Sequence, residues 1–142
     1  MSDARPAGYS STPLVGKLGI KPDARLALIG APADFARTLG ELPAGVTVRR
    51  RATQSLDVIV AFCVRRVELE RRLPRLKAAL QPAGGLWIAW PKRASGVATE
   101  LTEGIIRELG LSAGLVDNKV CAIDATWSGL RFVIRVRDRP TK

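Results

Sequence analysis

Lys92, Arg93, Ser95 and Gly96 stand just after Trp90-Pro91 within a handful of positions and could together hold an anion. Two cations would meet a phosphate or carboxylate, while a hydroxyl and a backbone amide donate to it. Other polar groups stand where apolar runs end: Asp34 after Ala31-Pro32, Arg65 after Phe62-Cys63, and Asp124 and Trp127 near the end of the chain. If those runs are parallel strands, these residues collect at one edge of a sheet, where open α/β folds place their ligands. The competing reading makes Trp90 and Trp127 core residues and leaves Lys92 and Arg93 solvated.

The rest of the titratable inventory narrows the chemistry. The chain has no histidine, which removes Ser-His-Asp and Cys-His catalysis and the commonest transition-metal ligand. Asp34, Asp57 and Asp124 are single carboxylates on separate segments and read as caps or turn residues. Cys63 precedes Arg65, Arg66 and a predicted helix start. It is either a thiol with a depressed pKa or a small buried hydrophobe. Cys63 and Cys121 have no metal-ligand spacing, so reduced thiols in a cytoplasmic protein are expected. No catalytic residue, metal or cofactor is predicted.

Strands and helices must position these groups. Gly84-Gly85-Leu86-Trp87-Ile88-Ala89-Trp90-Pro91 reads as a buried central strand that opens on a glycine turn and stops at the proline, because neither face shows polar alternation. Before it, Arg25–Gly30, residues 46–49 and Leu56–Phe62 are strands. Helices are expected at Ala33–Leu39 and at Arg66–Leu80, the latter kinked or split by Pro74. After it, Thr99 caps a helix that buries Leu101, Ile105 and Leu109 and ends at Gly110. Lys119–Asp124 and Leu130–Val136 form a closing antiparallel pair, with Leu130, Phe132, Ile134 and Val136 inward. Near the start, Thr12 caps a short helix that ends at Gly19. Residues 1–8 form a leader, 9–138 one domain and 139–142 a basic tail. The result is a single three-layer, Rossmann-like α/β domain, mostly parallel, with an antiparallel C-terminal edge pair.

Charge adds a partner class. Of 142 residues, 23 are Lys or Arg and 13 Asp or Glu, a formal charge of +10. Arg49 to Arg93 holds eleven cations against three acids, and the segment from Arg131 to Lys142 adds five against Asp138. Such a surplus favours an anionic small molecule, an acidic protein or nucleic acid. With three Trp, three Phe and one Tyr, most of them in apolar strands, nucleic-acid binding is expected to be weak, non-specific and salt-sensitive. No apolar stretch approaches the ~20 residues that span a bilayer, so no membrane partner is expected. Oligomeric state is not legible.

The order of elements resembles a trimmed class I methyltransferase, in which a glycine-rich turn after the first strand and an acid after the second hold S-adenosylmethionine. Here those places read Gly30-Ala-Pro-Ala-Asp and Arg49-Arg-Arg, and arginine accepts no hydrogen bond from a ribose. Over nearly its whole length the chain is also similar to the bacterial family named domain of unknown function 3052. It matches at Gly8-Tyr-Ser, Thr12-Pro-Leu, Lys17-Leu-Gly-Ile-Lys, Leu73-Pro-Arg-Leu, Leu86-Trp, Trp90-Pro-Lys, Ser95-Gly-Val, Leu101-Thr-Glu, Gly114-Leu-Val-Asp, Lys119-Val-Cys-Ala and Thr126-Trp-Ser-Gly-Leu. That family implies no activity. The leading expectation is a non-enzymatic binding module with an anion-accepting rim; the alternatives are a degenerate methyltransferase and a weak nucleic-acid binder.

Overall fold

The computed structural model describes residues 13–140. Six strands form one sheet: β1 (Arg25–Ile29), β2 (Thr47–Arg49), β3 (Leu56–Phe62), β4 (Leu80–Pro91), β5 (Leu115–Ala122) and β6 (Trp127–Ile134). Their order is β2-β1-β3-β4-β6-β5, and β1 to β4 run parallel. β6 is antiparallel to both β4 and β5, so β5 points the same way as the first four. Four helices accompany them: α1 (Leu14–Leu18), α2 (Phe35–Leu39), α3 (Arg66–Ala79) and α4 (Glu103–Ser112).

The sheet is covered on both faces, which explains why its central strands lack polar alternation. On one face Leu69, Leu73 and Leu76 of α3 and Ile106 of α4 pack on Ala27, Ile59, Ile88 and Phe132. On the other, Leu18, Phe35 and Leu39 pack on Leu26, Val58, Val60 and Trp87. The buried indole Nε1 of Trp87 donates to the carbonyl of Leu18 at 3.0 Å, tying α1 to the central strand. The expected three-layer α/β architecture with its antiparallel edge pair is therefore present. Among the described residues, no helix is long and apolar enough to cross a membrane.

Several expectations need correction. The central strand does not open on the glycine turn: it begins at Leu80, directly after α3, and runs through Gly84 and Gly85. A Cβ at Gly84 would stand 2.8 Å from the Asp57 carbonyl, so the close approach of β3 favours glycine there, and one at Gly85 would displace the Arg131 guanidinium. Pro74 lies inside α3, which continues as one element, so the expected split does not occur. Thr102, not Thr99, caps α4 by accepting from the Ile105 amide; Thr99 instead donates to the Val64 carbonyl and accepts from the Leu101 amide. Gly110 does not end α4 but lies buried within it, where a Cβ would come within 2.2 Å of the Phe132 ring. The last two strands start several residues earlier than expected, and Val136, expected inward, is 75% exposed beyond the end of β6. α1 starts at Leu14, one residue after Pro13, with Gly19 closing it at φ 80° as expected. The leader at 1–8, and Thr12 with it, lies outside the described residues.

The crossover from β2 to β3 is unusually short. Parallel strands are usually linked by a dozen or more residues containing a helix. β2 and β3 lie on opposite sides of β1, yet only Arg50–Ser55 join them. Six residues cannot build a covering helix, so the α3 side of β1 and β2 is left with a thin loop over it. Ser55 completes that loop at φ 58°, a left-handed conformation uncommon for a non-glycine residue.

Candidate anion-binding site

The short crossover leaves a cleft of about 580 Å³ beside α3. Arg50 and Arg51 enter it from the crossover; Arg71, Arg72 and Arg75 enter from successive turns of α3. Ile29, Ala52 and Leu76 form its apolar floor, and Thr53 adds a hydroxyl. Among the described residues, no carboxylate lines the cleft. Among the described residues, Arg50, Arg51, Arg71 and Arg75 take part in no ion pair, whereas Arg72 Nη2 meets Glu68 at 3.3 Å. Four arginines without an ion pair among the described residues, and Arg72 with one, line this single cleft and make a site for a ligand with several negative oxygens.

Arg72 has a second task. Its Nη1 donates to the Phe62 carbonyl at 2.9 Å and lies 3.7 Å from Cys63 Sγ, which places the guanidinium at the carboxyl ends of β1 and β3. β1 sends the chain to β2 on one side and borders β3 on the other, so this is the sheet's switch point, where open α/β folds bind ligands. Gly30 bends away at φ 67°, and a Cβ there would lie 3.2 Å from the Phe62 carbonyl and 3.3 Å from Arg72 Nη1. The niche that a cofactor's backbone approach needs is filled by a side chain. Cys63 beneath it is fully buried, and burial pushes its thiol up to about 11 despite the opposing charge of Arg72. This direction runs against the depressed-pKa alternative for Cys63: Arg65 and Arg66 are exposed to solvent, and desolvation outweighs the one nearby cation.

The residues expected at the rim do not form one site. Trp90, Arg93 and Gly96 line a separate groove of about 370 Å³, together with Thr102 and Glu103 at the start of α4. Ser95 serves its own turn, donating to the Lys92 carbonyl at 2.6 Å and accepting from the Val97 amide. Asp124 does the same for the β5–β6 turn, where one oxygen accepts from the amides of Thr126 and Trp127, both at 2.8 Å. The Lys92 amide donates to Thr126 and Pro91 pairs with Trp127, so Asp124 and Trp127 do lie at the same edge as Lys92. Trp127 stacks edge-on against Phe62 with centroids 5.0 Å apart, an aromatic wall already used by the core. Asp34 precedes α2 and makes no capping bond with its side chain. Arg65, exposed, precedes α3.

The arginine cleft was missed as a site in the sequence, although all its arginines were legible as charge. The available signal was the short interval between the second and third predicted strands. Of the basic segments, residues 50–51 and one face of α3 do converge. Lys77 instead turns to the Ala113 carbonyl at 3.0 Å, and Arg131 reaches Asn118 on β5.

No family model matches the chain, and no curated protein does. Solved structures do. A SAM-dependent methyltransferase from Aquifex aeolicus superposes with TM-score 0.62 at 15% identity, over 85% of this chain and 88% of that one. The Methanococcus jannaschii fibrillarin pre-rRNA processing protein gives 0.60 at 15%, over 89% and 70%. The Burkholderia thailandensis 1,6-didemethyltoxoflavin-N1-methyltransferase gives 0.59 at 18%, over 91% and 75%. The fold is that of SAM-dependent methyltransferases, and in this respect the comparisons stand nearer to the methyltransferase alternative than to the leading expectation. The cofactor's own contacts are another matter. Arg72 fills the space beside Gly30, and arginines come after β2 where a ribose-accepting acid would be needed, so the residues present do not fit the cofactor in this arrangement.

Proposed function

We propose that this chain is a methyltransferase-fold protein whose cleft binds a phosphorylated or otherwise multiply anionic small molecule. The observation that carries the reading is that Arg50, Arg51, Arg71, Arg72 and Arg75 line one cavity with no lining carboxylate among the described residues. Its volume falls within the range of small-molecule sites, and its floor is apolar, as such sites usually are. The sheet-edge rim of Lys92, Arg93, Ser95 and Gly96 remains a secondary place for the same chemistry. An acidic protein segment would use the same charge. A thermal-shift panel of tripolyphosphate, nucleotides, sugar phosphates and dicarboxylates tests the proposal. A ligand held at 100 times its Kd should stabilise the fold by about 2.7 kcal/mol. No shift with any anion, or an undiminished shift in the Arg71→Ala/Arg75→Ala variant, would end it.

A second reading, methyl transfer from S-adenosylmethionine, is favoured by the fold likeness. It requires the Arg72 guanidinium to leave the switch point and the ribose to be held without an acid. Calorimetry with S-adenosylhomocysteine decides between them: micromolar binding would establish the enzymatic reading, and no heat at millimolar ligand would close it.

A further inference from the structure

A second depression, of about 460 Å³, lies on the other side of the crossover and shares Thr53 with the arginine cleft. Arg25, Thr47, Arg49 and Gln54 line it, again without a carboxylate. The register accounts for the continuity. Arg49 pairs with Ala27, which faces α3, and Arg25 lies two residues before Ala27, so both arginines stand on the α3 side of the sheet. The two depressions together gather seven arginines around one six-residue loop.

We propose that the ligand is a linear condensed phosphate chain that fills the cleft, passes over Thr53 and continues along the β1–β2 face to Arg49 and Arg25. This rests on the anion-binding reading of the cleft and commits it to one ligand class. A compact phosphate compound would need only the first depression. Nucleic acid offers the same charge, but proteins that hold single strands combine cations with aromatic platforms for the bases. Neither depression contains an aromatic residue, and every described aromatic side chain lies in or against the core. What lines the surface can hold a row of anionic oxygens and offers no platform for bases.

Calorimetric titration of the full chain with tripolyphosphate, a long polyphosphate and a single-stranded oligonucleotide of equal charge separates the cases. Three variants are compared: Arg25→Ala/Arg49→Ala, Arg71→Ala/Arg75→Ala, and Arg37→Ala/Arg137→Ala as a charge-matched control on exposed positions elsewhere. Long polyphosphate should bind more tightly than tripolyphosphate. The Arg25/Arg49 variant should weaken the long chain about tenfold and tripolyphosphate less than twofold, while the Arg71/Arg75 variant weakens both. A long chain that is insensitive to Arg25/Arg49, or no more so than to the control, overturns the extended path but leaves the cleft reading intact. An oligonucleotide that binds more tightly than polyphosphate with the same variant pattern overturns the ligand class in favour of nucleic acid. Absence of binding by tripolyphosphate and by long polyphosphate overturns this inference, and only silence across the whole anion panel removes the cleft reading with it. Circular dichroism of each variant confirms that it folds.

Discussion

Replacing Arg72 with methionine keeps most of the aliphatic stem and deletes the guanidinium, with three consequences for stability. The Phe62 carbonyl loses a part-buried, charge-assisted donor at 2.9 Å, a loss of about 1.5–2 kcal/mol. The pair with Glu68, whose side chains are 30% and 35% exposed, contributes below about 1 kcal/mol after solvent screening. Removing one of five clustered cations returns a few tenths of a kcal/mol by relieving repulsion. The sum is a destabilisation of about 2 kcal/mol, or roughly 6–8 °C in Tm for a chain of this size. Urea and thermal denaturation at low and high salt measure it. Arg72→Lys should fall between, since it restores the charge without the fork. Cys63 supplies an independent readout: Arg72 holds the thiol down against burial, so its pKa should rise further in the methionine variant. An Arg72→Met protein as stable as the parent, with Cys63 unmoved, would refute the argument that this guanidinium closes the switch point.

Further predictions concern the core and the thiol. The Cys63 pKa is raised in the folded state, so its contribution to stability is complete below the unfolded value near 9 and is lost as pH rises towards about 11. Denaturation midpoints from pH 8 to 11 should therefore fall by more in the parent than in Cys63→Ala; equal slopes would contradict the buried, protonated thiol. Gly110→Ala should destabilise the fold by about 1–3 kcal/mol despite the better helix propensity of alanine, because its Cβ would meet Phe132 at 2.2 Å. Chemical denaturation of the single variant and of Gly110→Ala/Phe132→Leu checks it, with partial recovery expected in the double.

Much of the architecture was legible because short apolar runs without alternation, bounded by turn residues, read as strands covered on both faces. Leu56–Phe62 shows this, with Val58, Val60 and Phe62 packed on one side and Ile59 and Ala61 on the other. Where the reading slipped, tertiary contact had overruled local preference. Gly110 looks like a helix stop but is glycine because Phe132 presses on it, and Gly84-Gly85 looks like a turn but continues a strand whose neighbours leave no room for side chains. Thr99 resembles a cap, yet its hydroxyl is taken by the Val64 carbonyl across the loop. The rim around Lys92 was visible as a cluster in sequence. The cleft was not, because its arginines come from two segments that approach each other only through the brevity of the Arg50–Ser55 crossover.

The central claim is that the cleft of this methyltransferase-like fold recognises anionic oxygens and not an adenosyl cofactor. The most direct measurement is a competitive calorimetric titration, with S-adenosylhomocysteine added to the free protein and to protein saturated with tripolyphosphate. The account predicts strong heats for tripolyphosphate, reduced at least about tenfold in affinity by Arg71→Ala/Arg75→Ala, and none for S-adenosylhomocysteine in either state. Micromolar binding of S-adenosylhomocysteine to the free protein, abolished by tripolyphosphate, would contradict it and place the cofactor at the switch point that Arg72 now fills.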